Sequence, residues 1–265
     1  MRPGGVAGLR RRAGAAGAAW RAPREPATMT GRMDATDLRA RLDAVRERIA
    51  EAAHRAGRRA DAVLLVAVSK TIPVERIRDA LAAGVAALGE NRVQEARDKI
   101  AQLGRPVPWH LVGHLQTNKV RDAVELFDLV QSVDRVPLAR ALASRAVQAG
   151  RTLDALVQVN VGAEPQKGGV LPDGLRAALE TMAALPGLRL RGLMAIPPAP
   201  QDPEDSRPYY REMRKLLDAA RGWGLGSEFR ELSMGMSGDF EIGIEEGATI
   251  VRVGTAIFGP RPPAR

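Results

Sequence analysis

The sequence has no cysteine, few aromatic residues and no long apolar run, and each absence excludes a class of protein. Without cysteine there can be no disulfide, no thiolate nucleophile and no thiolate metal site. Two tyrosines and four phenylalanines offer little of the aromatic interleaving on which nucleic-acid bases stack. Apolar residues occur in short runs broken by charge, far shorter than a membrane-spanning helix requires. We therefore expect no nucleic-acid partner and no membrane partner. The lack of cysteine does not fix the compartment but is compatible with a reducing cytoplasm, which is the location we expect.

Most of the formal net charge of +9 lies at the start of the chain. Residues 1–32 contain seven arginines and one acidic residue, Glu25, so residues 33–265 carry only +3. The Arg, Ala, Gly and Pro composition of residues 1–32 lacks the large aliphatic side chains that offset the entropy of ordering, and we predict disorder there. The alternative interpretation is a true start at Met29 or Met33, with an over-extended reading frame upstream. On either interpretation, the predicted folded domain comprises residues 33–265.

The rest of the sequence alternates between apolar runs of strand length and segments with helical periodicity. Leu38, Leu42, Val45 and Ile49 recur at helical spacing and indicate an amphipathic helix before the first strand. Eight strands are predicted, over 64–70, 85–88, 109–114, 127–133, 153–161, 188–196, 228–233 and 249–253. Eight strands alternating with helices over about 230 residues predict an α/β fold, a single (β/α)8 barrel with an extra N-terminal helix. A doubly wound open sheet is the alternative, but a glycine fingerprint does not follow the first strand.

Lys70 stands where the first predicted strand ends. Parallel sheets and barrels place their chemistry at the carboxyl ends of strands, although a solvated lysine is the simpler interpretation of this stretch alone. In a closed barrel the eighth strand lies beside the first, and loops of small residues follow strands seven and eight. These loops contain Ser233, Met234, Gly235, Ser237, Arg252, Gly254 and Thr255. Backbone N–H groups in such loops can approach an anion closely, and barrels commonly bind phosphate there.

An amine beside two potential phosphate-binding loops suggests a phosphate-bearing aldehyde held on Lys70 as a Schiff base. A lysine attacks a carbonyl only as the free amine, and desolvation together with a nearby cation lowers a lysine pKa. Asn91 and His110 end or line strands two and three, so either side chain could face the same mouth. A buried histidine satisfied by backbone groups is an equally good interpretation of His110. With His54, His110 and His114 far apart and no cysteine, we expect no metal site.

Six ordered sequence blocks allow a comparison with known families. They are AVSK at 67–70, GENRVQE at 89–95, WHLVGHLQTNK at 109–119, GLMAIP at 192–197, LSMGMS at 232–237 and VRVGTAIFG at 251–259. Together they resemble the YggS/PROSC-like pyridoxal 5'-phosphate homeostasis proteins, over residues from about Asp34 to Arg261. The resemblance implies a barrel of the alanine racemase N-terminal type, with the cofactor on Lys70 and its phosphate bound by the loops around Ser233, Gly235, Gly254 and Thr255. Residues 162–169 depart from the family's serine-rich loop, which leaves the role of Lys167 open.

The resemblance also bears on the reaction. In the related racemases an arginine of an Arg-x-Gly element faces the pyridine nitrogen, and Arg252 occupies the matching position. A guanidinium cannot accept a proton and disfavours ring protonation, so the cofactor would be a weakened electron sink. The alternative for Arg252 is a salt bridge to Glu231 or Glu245. Racemases of this fold carry a second, β-rich domain that supplies a tyrosine base, and we do not expect that domain in a chain that ends soon after strand eight.

The predicted function is therefore pyridoxal 5'-phosphate binding in intracellular cofactor and amino-acid homeostasis, without turnover of a dedicated substrate. The alternative is a pyridoxal-phosphate-dependent amino-acid racemase or lyase of the fold-type III class. Expected partners are pyridoxal phosphate and apoenzymes that depend on it. The resemblance implies a monomer.

Overall fold

The computed structural model describes residues 35–260, which form a closed barrel of eight parallel strands surrounded by helices. The strands are β1 (Leu64–Val68), β2 (Ala87–Glu90), β3 (Trp109–Leu111), β4 (Leu129–Val133), β5 (Leu153–Val159), β6 (Leu188–Ala195), β7 (Glu231–Ser233) and β8 (Ile250–Val253). The helices are α1 (Ala35–Arg55), α2 (Val74–Ala82), α3 (Val93–Leu103), α4 (Val120–Leu126), α5 (Val136–Gln148), α6 (Leu175–Ala183), α7 (Arg207–Gly222), α8 (Phe240–Glu245) and α9 (Thr255–Phe258). The predicted (β/α)8 barrel with an extra N-terminal helix is confirmed.

The predicted disorder of residues 1–32 and the domain boundary at residue 33 lie outside the described residues. Of the helices within residues 35–260, none has the length and apolar character needed to cross a membrane.

The barrel closes where β8 pairs with β1. The register runs from Leu64 beside Ile250 to Ala67 beside Val253. Because the two strands are parallel, the segments that follow them emerge at the same end of the barrel. Closure therefore brings Lys70 next to the residues after β8, although the two lie near opposite ends of the described chain.

Helix α1 packs on the outside of the barrel against α8 and α9. Its predicted apolar stripe is buried, since Leu38 and Leu42 have no exposed surface and Val45 and Ile49 have 5% or less. A hydrogen bond of 2.9 Å from Arg55 to Glu245 joins the helix to α8 at its exposed edge. Exposed ion pairs contribute little to stability, so burial of the apolar stripe is the main reason for the docking of α1.

The barrel interior is a packed core. Apolar side chains from six strands form one cluster inside it, namely Val66, Ala87, Leu129, Leu156, Met194 and Ile250. Polar side chains from β3, β4, β7 and β8 also point inward: His110, Gln131, Ser233 and Arg252, all buried. Alternation along each strand therefore fills the interior with side chains rather than leaving a pore.

Strand β2 begins two residues later than the sequence predicted, at Ala87 rather than Val85. The reason is the end of α2. Gly84 has a φ of +88°, and Val85 donates its N–H to Ala80 O at 3.1 Å, which closes the helix with a glycine cap. Val85 is therefore used by the cap of α2 and is unavailable to the strand. Strands β3 and β7 are also shorter than predicted, and the short helix α9 was not predicted.

At Gly192 the backbone of β6 lies close to that of β7, with no room for a side chain between them. Its φ is +154°, and a Cβ built there would lie 1.8 Å from Glu231 O on β7. We expect Gly192→Ala to lower the free energy of unfolding by on the order of 3 kcal/mol, because any side chain must push the two strands apart. Gly222→Ala is the matched control, since a Cβ at Gly222 meets nothing within 4 Å. Equal losses for the two variants in denaturant unfolding would contradict this account.

Candidate functional site

A cavity of about 270 Å³ opens at the carboxyl ends of the strands, and we call it the Lys70 cavity. It is lined by Val68, Lys70, Asn91, Val112, Ile196, Met236, Ser237, Gly238, Arg252, Gly254 and Thr255. Six of these are residues that the sequence singled out: Lys70, Asn91, Ser237, Arg252, Gly254 and Thr255. The structure therefore brings together the predicted amine, the arginine and part of both small-residue loops.

The remaining lining residues were not anticipated. Val68, Val112 and Ile196 form an apolar wall of the cavity. The alternation of side chains along a strand is the sequence pattern that could have predicted that they face inward. Val68 stands two residues before Lys70, so both side chains point into the barrel. Met236 and Gly238 belong to the loop after β7, whose course does not follow from a period-two pattern.

Four predicted site residues do not line the Lys70 cavity. Met234 is fully buried in the core, and its N–H donates to Ile250 O at 3.1 Å. Gly235 has a φ of +92°, and its carbonyl accepts the N–H of Arg252 at 3.0 Å. Ser233 and His110 lie deeper in the barrel interior. Ser233 and Gly235 thus support residues that line the cavity.

The loop after β7 is anchored by one buried carboxylate, that of Asp239. Asp239 accepts hydrogen bonds from the N–H of Met236 at 2.8 Å, from the hydroxyl of Ser206 at 2.8 Å and from the hydroxyl of Tyr210 at 2.7 Å. Burial raises the pKa of Tyr210. The phenol is therefore a structural donor that keeps its proton, and the loop carrying Ser237 is held firmly at the cavity.

Ser237 connects this loop to the start of α9. Its hydroxyl oxygen accepts the N–H of Gly254 at 3.2 Å and the N–H of Ala256 at 3.4 Å. Thr255, which also lines the cavity, lies between these two donors. This rim of the Lys70 cavity therefore presents hydroxyls and backbone N–H groups with few carbon atoms in the way, which is suited to phosphate oxygens.

Arg252 is a buried cation whose hydrogen-bond partners are neutral. It donates to the Ser233 hydroxyl oxygen at 2.6 Å and to Ala195 O at 2.8 Å. Burial lowers the pKa of Arg252 to about 10. Within residues 35–260 no carboxylate forms an ion pair with it, so the alternative of a salt bridge to Glu231 or Glu245 is wrong. The carboxylate of Glu245 instead contacts Arg55 and Arg207, at 2.9 and 2.8 Å.

A chain of hydrogen bonds crosses the barrel interior from Arg252. The Ser233 hydroxyl accepts from Arg252 and donates to Gln131 Oε1 at 2.6 Å, and Gln131 Nε2 lies 2.9 Å from His110 Nδ1. Since Gln131 accepts through its oxygen, its amide nitrogen donates to the histidine. His110 Nδ1 is therefore an acceptor, and His110 is neutral, with its pKa lowered by burial to about 4.

His110 lines a different cavity, of about 770 Å³, at the amino-terminal ends of the strands. This lower cavity also contains Asp128, Asp154 and Arg191, which bond to other protein groups. The structure thus places His110 away from Lys70 and connects it to the Lys70 cavity only through Gln131, Ser233 and Arg252.

Lys167, whose role the sequence left open, lies at a neighbouring cavity of about 510 Å³. That cavity shares Asn91, Val112 and Ile196 with the Lys70 cavity. The Lys167 ammonium donates to Pro197 O at 3.0 Å and pairs with Glu164. In the described part of the chain no three His, Cys, Asp or Glu side chains form a group able to hold a metal ion.

The neutral state of His110 predicts a pH dependence of stability. Between pH 6.5 and about 4, the unfolded chain binds a proton at this histidine and the folded protein does not. The free energy of unfolding should therefore fall as pH falls through this window, by about 3 kcal/mol in total. We expect His110→Gln to lose this component of the dependence in denaturant titrations at pH 7, 5.5 and 4.

His54→Gln is the control for this experiment, since His54 is exposed on α1. It should keep the wild-type pH dependence. A His110→Gln variant with the same slope as wild type would contradict this account, because it would mean that the pKa of His110 does not change on folding.

Comparison with known proteins places this geometry in a family. Residues 40–262 match the family model of the alanine racemase N-terminal domain. The chain is 46% identical over 226 residues to the pyridoxal phosphate homeostasis protein of Aquifex aeolicus, covering 83% of this chain and 97% of that one. It is 44% identical over 218 residues to the protein of the same name from Pseudomonas aeruginosa, covering 82% and 93%.

Among solved structures, PipY of Synechococcus elongatus PCC7942 with PLP bound superposes with a TM-score of 0.75 at 38% identity, covering 84% of this chain and all of that one. The shared barrel, the extent of the match and the level of identity lead to one conclusion: the chain belongs to the pyridoxal phosphate homeostasis protein family, which is built on the alanine racemase N-terminal domain.

Proposed function

We propose that this protein binds pyridoxal 5'-phosphate in the Lys70 cavity, with the Lys70 amine as its covalent anchor. The observation that carries the proposal is that Lys70, Arg252 and the Ser237–Thr255 rim line one cavity. Pyridoxal phosphate has an aldehyde, a pyridine nitrogen and a phosphate, and each has a matching group on the cavity wall. The chemistry that the cofactor supplies is an aldehyde that condenses with a primary amine, releasing one water.

Each wall of the cavity has a separate task in this proposal. Ser237, Gly254 and Thr255 surround the phosphate, and the hydroxyls of Ser237 and Thr255 donate to its oxygens, since the N–H of Gly254 already donates to the Ser237 hydroxyl oxygen. Arg252 donates toward the ring nitrogen, since its other donors are already directed to Ser233 and Ala195. Val68, Val112 and Ile196 provide apolar surface that excludes water from the ring.

The proposed role is intracellular cofactor and amino-acid homeostasis without turnover of a dedicated substrate. Arg252 supports it, because a guanidinium cannot accept a proton and so keeps the ring nitrogen unprotonated. The tyrosines support it as well. Neither Tyr209 nor Tyr210 is among the residues that line the cavity, and Tyr210 is committed to Asp239. A phenol base is therefore not placed opposite Lys70.

The relatives' names and the PLP-bound PipY structure support the same proposal. We further propose that the protein is a cytoplasmic monomer that passes the cofactor to apoenzymes. The cavity opens at the mouth of the barrel, so the bound cofactor lies at the surface an acceptor would approach.

Replacement of Lys70 tests the attachment. Wild-type protein incubated with pyridoxal 5'-phosphate should gain a visible absorbance band, and borohydride should fix the cofactor on the peptide that contains Lys70. Lys70→Ala should lose both, because the remaining contacts provide no amine. Lys215→Ala is the control, since the Lys215 side chain is 76% exposed on α7. Trapping of the cofactor on another peptide in the wild-type protein would overturn the assignment of Lys70.

A second experiment separates a carrier from an enzyme. The cofactor-loaded protein is incubated with a panel of amino acids and, separately, with an apoenzyme that requires pyridoxal phosphate. We expect activation of the apoenzyme and no amino-acid turnover at ordinary enzyme rates, which are about 1–1,000 per second. Racemisation or elimination at such rates would favour a fold-type III racemase or lyase instead.

A further inference from the structure

Helix α3 holds the backbone on both sides of Lys70. The Lys99 ammonium donates to the carbonyl of Ser69, the residue before Lys70, at 2.5 Å. The Glu95 carboxylate accepts the N–H of Thr71, the residue after Lys70, at 2.5 Å. Lys99 and Glu95 are one helical turn apart and contact each other at 2.6 Å. Two side chains of a single helix therefore fix the peptide groups that flank the proposed anchor.

Every N–H donor of the Lys99 ammonium has an acceptor. It has three N–H donors, and three acceptors surround it: the Ser69 carbonyl, Glu95, and Glu90 at 2.7 Å. Glu90 has no exposed surface and also accepts from the Ser69 hydroxyl at 2.6 Å. Burial raises the pKa of Glu90. We call Glu90, Glu95 and Lys99 the Lys70 clamp.

Thr71 shows why a clamp is needed. Its φ is +64°, a left-handed conformation that a β-branched residue rarely adopts because Cβ crowds the backbone. Such a conformation persists only where the surroundings enforce it. Two hydrogen bonds constrain it here: the N–H of Ile72 donates to Ser69 O at 3.0 Å across the turn, and the N–H of Thr71 donates to Glu95. Loss of the bond to Glu95 removes one of the two and loosens the chain directly after Lys70.

We propose that Glu95 and Lys99 are positioning residues that aim the Lys70 side chain into the cavity beside Arg252. They act from the outer side of the sheet. Lys99 is buried between α3 and the barrel, and neither side chain lines the Lys70 cavity. The part of this inference that concerns the cofactor rests on the proposed function. The part that concerns the Lys70 amine does not.

Glu95 is the residue to change. Its side chain is 25% exposed, so its removal leaves less unsatisfied polar surface than removal of Lys99, which would strand the fully buried Glu90. Glu95→Ala removes the acceptor for Thr71. Glu95→Gln keeps an amide oxygen at that place. Asp98→Ala is the control, since Asp98 is an exposed carboxylate on the same helix whose side chain accepts from Gln94.

The first measurement is uptake of pyridoxal 5'-phosphate by the apoprotein, followed by absorbance and by borohydride trapping at Lys70. We expect about tenfold slower and weaker uptake for Glu95→Ala, because a small misplacement of a reacting group is costly. Glu95→Gln should recover most of the wild-type value, and Asp98→Ala should not differ from it. Uptake by Glu95→Ala equal to wild type would overturn the proposal, as would Glu95→Gln being as defective as Glu95→Ala.

The second measurement needs no cofactor. Apoprotein is treated with formaldehyde and cyanoborohydride, and methylation of Lys70 is compared with that of exposed Lys215 by peptide mass analysis. The ratio of the two rates should move toward one in Glu95→Ala and stay at the wild-type value in Asp98→Ala. If wild type binds no pyridoxal phosphate, the proposed function fails, and this ratio alone decides whether the clamp positions Lys70. An unchanged ratio in Glu95→Ala, with only thermal stability reduced, would show that the clamp is merely structural.

Discussion

The pairing of β8 with β1 is the constraint on which the rest of the structure depends. The strands lie in chain order around the barrel, so β8 is the strand that brings Arg252 and the loop after it next to Lys70. Val66 lies beside Arg252 in this pairing, so Lys70 faces the segment that follows Arg252. A sheet of the same strands left open would hold the amine and the arginine at opposite edges. Closure of the barrel is therefore required to form the Lys70 cavity, as well as for stability.

The two faces of the sheet each bury a cation, Arg252 inside the barrel and Lys99 outside it, and the two cations have different partners. Inside the barrel, Arg252 has neutral partners, and its guanidinium sets the direction of every hydrogen bond that follows. Because arginine only donates, Ser233 must accept from it and give its own proton to Gln131. Behind the sheet, Lys99 lies between two carboxylates. Among the described residues, Arg252 therefore has no carboxylate partner at the cavity wall, whereas Lys99 contacts two carboxylates.

The sequence predicted what depends on strand order and missed what depends on side-chain direction. Lys70, Ser237, Gly254 and Thr255 could be assigned to one place because the carboxyl ends of adjacent parallel strands must meet. Whether a residue lines the cavity or supports it depends on the alternation of a short strand and the path of the next loop, so Ser233 and Gly235 were grouped with Ser237. His110 was expected to be either a residue facing the mouth or a buried histidine, because its place on the predicted strand 109–114 does not reveal at which depth its side chain lies. The contact of Lys99 with Ser69 joins two elements behind the sheet, and no local pattern indicates it.

The hydrogen-bonded side chains inside the barrel separate its two openings. Arg252 lines the Lys70 cavity, His110 lines the lower cavity, and Ser233 and Gln131 fill the space between them. The two openings of the barrel therefore do not communicate, and nothing the size of a cofactor can pass through. Under the proposed function the cofactor enters and leaves the Lys70 cavity through the same opening, so a donor and an acceptor of the cofactor would contact the same loops and could not bind at the same time.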